Sequence, residues 1–202
     1  MSERERARAP TRPSTPTSTN RIVDQAIALA EERGWDNVRL HDVAERLGLS
    51  LAEVADQFRD LDAIANAWFA RARDQMLRTP VAEPPGMAPP ERLELVMMAW
   101  FDALAPHREV TGQMIGEKLY ASHPHHWVPM IFDLSRLIHW FLDAARIRST
   151  GHRRQLAEIG LTTIFLLTLR VWLRDDCEGQ EISRAFLRRR LAMANRLLAR
   201  LG

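Results

Sequence analysis

Val38 to Leu61, VRLHDVAERLGLSLAEVADQFRDL, restricts the fold more tightly than any other stretch of the chain. Leu40, Val43, Ala44 and Leu47 fall at i, i+3, i+4 and i+7, one face of a helix. Gly48 follows where a helix end in the left-handed region favours glycine. Ser50 is an N-cap residue with Glu53 three positions on, the spacing of a capping box. A second segment, 51–58, repeats the apolar spacing with Leu51, Val54, Ala55 and Phe58, all four expected to be buried. Two short helices about a tight glycine turn form a helix-turn-helix, whose second helix enters a DNA groove.

The flanking sequence supports this unit. Residues 20–33 predict a helix with Ile22, Val23, Ala26, Ile27 and Ala30 inward, ended by Gly34, with Trp35 packing beneath the short helices. A further helix is expected over 62–77, carrying Ile64, Trp68, Phe69, Ala72 and Met76. Residues 79–90 contain five prolines and a glycine and cannot continue it, since proline has no backbone donor. The chain therefore divides into a disordered basic arm (1–19), a head with its connecting helix (20–78), a proline-rich linker (79–90) and a C-terminal helical domain (91–202). No strand-like alternation is sustained, and the expected fold class is all-α.

In the C-terminal part, helices are expected over 91–104, from Pro106 to about Ala121, and over 130–147, 153–174 and 182–201. Residues 122–129 are expected to form a turn. Met97, Trp100, Phe101, Met114, Phe132, Trp140 and Phe141 are soft or aromatic and suit an adaptable pocket for a small hydrophobic ligand or lipid. The same composition also suits ordinary core packing. The helix from Arg153 is apolar nearly all round and must be covered on every side, which a domain this small cannot do alone. A homodimer is the expected remedy, with Phe165, Leu169, Trp172, Phe186, Leu187 and Leu191 as candidate interface residues.

Charge is distributed unevenly. Residues 1–21 carry five arginines against two glutamates, a net of +3. Residues 36–61 carry three arginines against six acids, a net of −3, where a DNA reader is normally basic. Arg39, His41, Ser50, Glu53, Gln57 and Arg59 are the candidate DNA contacts, a glutamate being able to accept from cytosine N4. Lys118 is the only lysine.

The pattern Ala44, Gly48-Leu49-Ser50, Val54, Phe58 resembles the TetR family of bacterial transcriptional regulators. It departs from that family at Ala55, where a tyrosine is usual, at Leu61, where a lysine is usual, and at Leu51, which is often polar or basic. The resemblance covers residues 20–69. It implies a ligand-responsive regulator that binds double-stranded DNA as a homodimer through 40–58, with the last two helices of each subunit in the interface. A second pattern, W-L-x-D-D-x-x-G-x-E from Trp172 to Glu181 followed by Phe186-Leu187-x-Arg189-Arg190, looks like the C-terminal segment of TetR-fold accessory proteins of ubiquinone biosynthesis. That likeness implies an alternative, a lipid or hydrophobic-ligand binder that no longer binds DNA. Alternatively, Asp175, Asp176 and Glu181 only cap the turn into the last helix.

Catalytic signatures are missing: there is no nucleophile elbow, phosphate loop, His-Glu-x-x-His or dinucleotide fingerprint. A non-enzyme without cofactor is expected. His123, His125 and His126 lack helical metal-ligand spacing, and no metal is expected there. Cys177, the lone cysteine, lies among acids that disfavour a thiolate and excludes an internal disulfide. The most apolar run, 159–173, is too short to cross a bilayer, so no membrane span and a cytoplasmic location are expected.

Overall fold

The computed structural model describes residues 18–81, 86–119 and 124–200, except for the side chains of 124–130 and 199–200. In chain order the helices are α1 (Ser18–Arg33), α2 (Leu40–Leu47), α3 (Leu51–Ala55), α4 (Leu61–Leu77), α5 (Pro89–Leu104), α6 (Arg108–Lys118), α7 (Pro124–Ala144), α8 (Gly151–Trp172) and α9 (Glu181–Arg200). Two 3₁₀ turns, Trp35–Asn37 and Ala105–His107, lead into α2 and α6. Among the described residues there is no strand, and the fold is all-α.

The local chemistry of the head is as its residues demand. Gly34 (φ 83°) ends α1, and Gly48 (φ 65°) ends α2 in the left-handed region that other residues avoid. The Leu49 N–H reaches back to the Ala44 carbonyl at 2.9 Å, closing the α2 end. At α3 the Ser50 N–H donates to Glu53 Oε2 (2.8 Å), and the Glu53 N–H donates to Ser50 Oγ (3.2 Å), a complete capping box. Asp60 caps α4 by accepting from the Ala63 N–H at 2.7 Å. Trp35, Val38, Val43, Val54 and Phe58 are buried under this unit. Leu51 and Ala55 are not: both are exposed, because α3 covers the core with Val54 alone and turns its other face outward.

A single apolar core runs from the head into the C-terminal helices. Its centre is aromatic. Phe165 packs against Trp100 (5.4 Å between ring centres), Phe101 (5.7 Å) and Phe141 (5.6 Å), and Phe101 also meets Trp172 (5.4 Å). Arg92, though buried, is satisfied by the carbonyls of Ala145 (2.8 Å) and Met87 and so ties the start of α5 to the end of α7.

Helix boundaries differ from expectation wherever proline was read only as a breaker. α5 starts on Pro89 and Pro90, since proline in the first turn costs no hydrogen bond, and Glu91 reaches back to the Ala88 N–H at 2.9 Å. α7 likewise starts on Pro124, so residues 124–129 are helical rather than a turn. Ser18 and Thr19, read as part of the arm, are the first residues of α1; the rest of the arm, 1–17, lies outside the described residues.

Candidate nucleic-acid interface and ligand cavity

Of the six candidate DNA contacts, Arg39, His41, Ser50, Glu53 and Arg59 are exposed and Gln57 is half-buried. Several are engaged within the protein. Ser50 and Glu53 cap α3, and the Ser50 backbone N–H, then its hydroxyl, hold the Glu53 carboxyl below its ordinary range. Gln57 Oε1 accepts from Ser18 Oγ (3.0 Å) and Thr19 Oγ1 (2.9 Å), so this side chain fastens the start of α1 to the end of the α3 segment. Arg39 donates to the Asp36 carbonyl at 2.7 Å. Arg59 pairs with Asp60 at 2.8 Å but stays 81% exposed.

Much of the head's negative charge is answered inside the head. Asp42 is held by Arg33, Asp60 by Arg59, and Glu32 by both terminal guanidinium nitrogens of Arg46. The outward face of α3 carries the apolar Leu51, Ala52 and Ala55 beside the exposed carboxylates of Glu53 and Asp56. Sequence reasoning missed this face because it placed Leu51 and Ala55 in the core.

The head is fastened to the rest of the molecule through α6. The Trp35 N–H donates to Gln113 Oε1 at 2.6 Å. Trp68 Nε1 on α4 donates to the buried Thr111 Oγ1 at 3.0 Å, and that hydroxyl donates to the His107 carbonyl at 2.8 Å. Lys118 pairs with Asp62 on the first turn of α4 and donates to Asn66 Oδ1 at 2.9 Å. His107 pairs with Glu31 of α1 and meets Trp68 edge to face at 5.5 Å.

On the far side of α6 lies a cavity of about 410 Å³ between α4, α5, α6, α7 and α8. That volume falls within the ~300–1,000 Å³ range of small-molecule sites. Its apolar wall includes Phe69, Trp100, Trp140, Phe165, Leu134 and Leu137. Of the sequence-predicted pocket residues, Trp100 and Trp140 line it. Met97, Phe101, Met114 and Phe141 are buried core instead, and Phe132 is 61% exposed on the outside of α7. These five were misplaced because helical spacing reports an apolar side chain without reporting which neighbour faces it. The Trp100 indole N–H has no hydrogen-bond partner among the described residues, a donor that costs about 1–3 kcal/mol when left unanswered.

The sequence-predicted interface residues mostly point the other way. Phe165, Trp172, Leu187 and Leu191 are buried within the protomer and cannot form an intersubunit surface, while Leu169 and Phe186 are half-buried. The apolar side chains left exposed on α8 are Leu156, Ile159, Leu166 and Leu167, and on α9 Ile182, Met193, Leu197 and Leu198. At 22 residues α8 is long and apolar enough by composition to cross a bilayer, unlike the shorter run read from the sequence, but it packs between α7 and α9 as one wall of the core.

The Trp172–Glu181 pattern is accounted for by the turn between α8 and α9. Trp172 Nε1 donates to Gln180 Oε1, and Gln180 Nε2 donates to Asp102 at 2.7 Å. Asp175 Oδ2 accepts from both the Ser183 N–H and hydroxyl at 2.7 Å, capping the start of α9. Partial desolvation first, then the Asp175 carboxylate, pushes the exposed Cys177 thiol up, away from a reactive thiolate. Among the described residues no group of three or more His, Cys, Asp or Glu could hold a metal ion. His123 and the side chains of His125 and His126 lie outside them.

A groove-sized recognition element, braced from behind by a hollow helical body, is the build of a helix-turn-helix transcriptional regulator. The structure is similar to that of the TetR transcriptional regulator from Nitrosomonas europaea ATCC 19718, with a TM-score of 0.76 and 40% sequence identity over 88% of this chain and 98% of that one. The chain belongs to the TetR family of transcriptional regulators. Its fold is shared with a TetR transcriptional regulator from Rhodococcus sp. RHA1 (TM-score 0.60, 23% identity, 86% of this chain and 92% of that one). The family regulator PfmR from Thermus thermophilus shares it too (TM-score 0.53, 20% identity, 85% and 97%). No family model matches the chain, and no curated protein does. Nothing favours the alternative of a lipid binder that has abandoned DNA.

Proposed function

We propose that this protein is a cytoplasmic, ligand-responsive regulator that binds double-stranded DNA as a homodimer through α2 and α3 and acts by binding rather than by catalysis. The observation that carries the reading is the α2–α3 unit, closed at Gly48 and capped by Ser50 and Glu53, whose second helix is anchored by Val54 and exposes its other side. Leu51, Ala52 and Ala55 offer methyl-bearing contacts of the kind that meet thymine C5-methyl groups. Phosphate contacts would come from Arg39, His41 and Arg59 and from the arginines of the N-terminal sequence, Arg4, Arg6, Arg8 and Arg12. The head, linker and C-terminal helices divide this labour: the head touches DNA, the C-terminal helices together with α4 hold the ligand, and the C-terminal helices hold the second subunit.

Selection of genomic fragments followed by mobility shifts across salt tests this. The full chain is expected to bind selected DNA with a steep salt dependence. Removal of residues 1–17 is expected to flatten the log–log slope by about 0.9 for each phosphate that the arm neutralises. A flat slope with micromolar or weaker binding by the full chain would end the reading.

A further inference from the structure

The charged groups along the cavity wall are mostly cations. Arg73, Arg136 and Lys118 stand against a single lining carboxylate, Asp133, which Arg136 already holds at 2.6 Å, while Arg73 pairs with Asp74 beside the cavity at 2.8 Å and Asn66 accepts from Lys118 and donates to Asp62. The apolar wall is strongly aromatic: Phe69 stacks on Trp100 at 6.3 Å, Phe165 meets Trp100 edge-on at 5.4 Å, and Trp140 lies on another wall. Flat rings find both stacking and edge-to-face partners in such a box. A ligand fitted to this wall is aromatic in its body and an acceptor at its polar end.

Lys118 gives that polar end a consequence. Its side chain is only 13% exposed, and it lines both the cavity and a smaller hollow of about 210 Å³ bounded by Trp35, Asp60, Asp62 and Met114. Its side chain borders the ligand space, and its ammonium is held by Asp62 on the first turn of α4 and by Asn66 one turn further on. Ligand and head share one cation.

Resting on the ligand-responsive reading above, we infer that the cavity takes a planar aromatic carboxylate. Its rings lie against Phe69, Trp100 and Phe165, and its carboxylate competes with Asp62 for Lys118, loosening the first turn of α4.

The test compares 2-naphthoic acid with its neutral match, 2-naphthamide, by calorimetric titration of the full-length protein at pH 7. The acid is expected to bind at least about tenfold tighter, the worth of one charge-assisted hydrogen bond. Lys118→Gln is expected to bring the two probes to parity, and Lys118→Arg to keep the acid ahead. Hydrogen exchange supplies a readout beyond affinity: at saturation the acid, and not the amide, speeds exchange of the backbone amides of residues 63–66. Equal binding of acid and amide to the native protein, or a preference that survives Lys118→Gln, would overturn the carboxylate assignment and leave the ligand cavity standing. Failure of both probes to bind would overturn the cavity reading with it.

Discussion

Glutamate placed at Ile159 and Met193 together is expected to convert the protein to monomers that still fold. Ile159 is 67% exposed and Met193 45% exposed, so neither change opens a hole in the protomer core. Both belong to the apolar stripe that α8 and α9 leave uncovered, and a twofold axis would bring two copies of each together. Four buried carboxylates without partners would weaken such an interface by at least about 4 kcal/mol, roughly a thousandfold in dissociation constant. Sedimentation of native and doubly substituted protein measures this directly, with helical content by circular dichroism as the folding control. Because operator half-sites are read by paired heads, the monomer is also expected to lose selected DNA. An unchanged sedimentation coefficient in the double variant would move the interface elsewhere.

Replacement of Asp175 by alanine should produce the largest loss of stability from a single polar side chain. The carboxylate is 1% exposed and accepts from the Ser183 N–H, the Ser183 hydroxyl and, at 3.2 Å, the Cys177 N–H. Alanine strands these donors at the start of α9, a cost of about 3 kcal/mol. For a chain of this size that lowers Tm by roughly 6–12 °C. The effect has a predictable pH dependence. Burial alone would raise this carboxyl, but Ser183 and then Cys177 outweigh it and hold it below its ordinary value of 3.8. A carboxyl depressed on folding contributes its full stabilisation above that ordinary value and loses it as pH falls through the folded one. The gap between native and Asp175→Ala protein in urea denaturation is therefore expected to be constant at neutral pH and to close below about pH 4. A gap that widens in acid would contradict the proposed charge state.

Features set by near neighbours were legible in the sequence. The capping box of Ser50 and Glu53, the Gly48 turn and the burial of Trp35 follow from residues within a turn or two of each other. So did the need of α8 for a cover, because its apolar content exceeds what one protomer buries. What could not be read was direction. On a helix apolar all round, no periodicity tells Phe165, which faces the core, from Ile159, which faces out. The bonds that Ser18 and Thr19 make to Gln57, a candidate DNA contact, were not legible either, since these partners lie 39 and 38 residues away. The cavity was found through two of its seven candidate residues, since a void is defined by the gap between helices and not by any one of them.

The eleven residues of α6 set both the seat of the head and one wall of the cavity. Two binding events that act on one shared element are thermodynamically reciprocal: whatever factor the ligand takes from DNA affinity, DNA takes from ligand affinity. Operator-bound protein is therefore the less sensitive detector, and free protein the more sensitive one. The ligand level that triggers release would fall as added operator copies draw down the free protein and rise as protein outnumbers them. A regulator built this way measures its ligand against the state of its own targets.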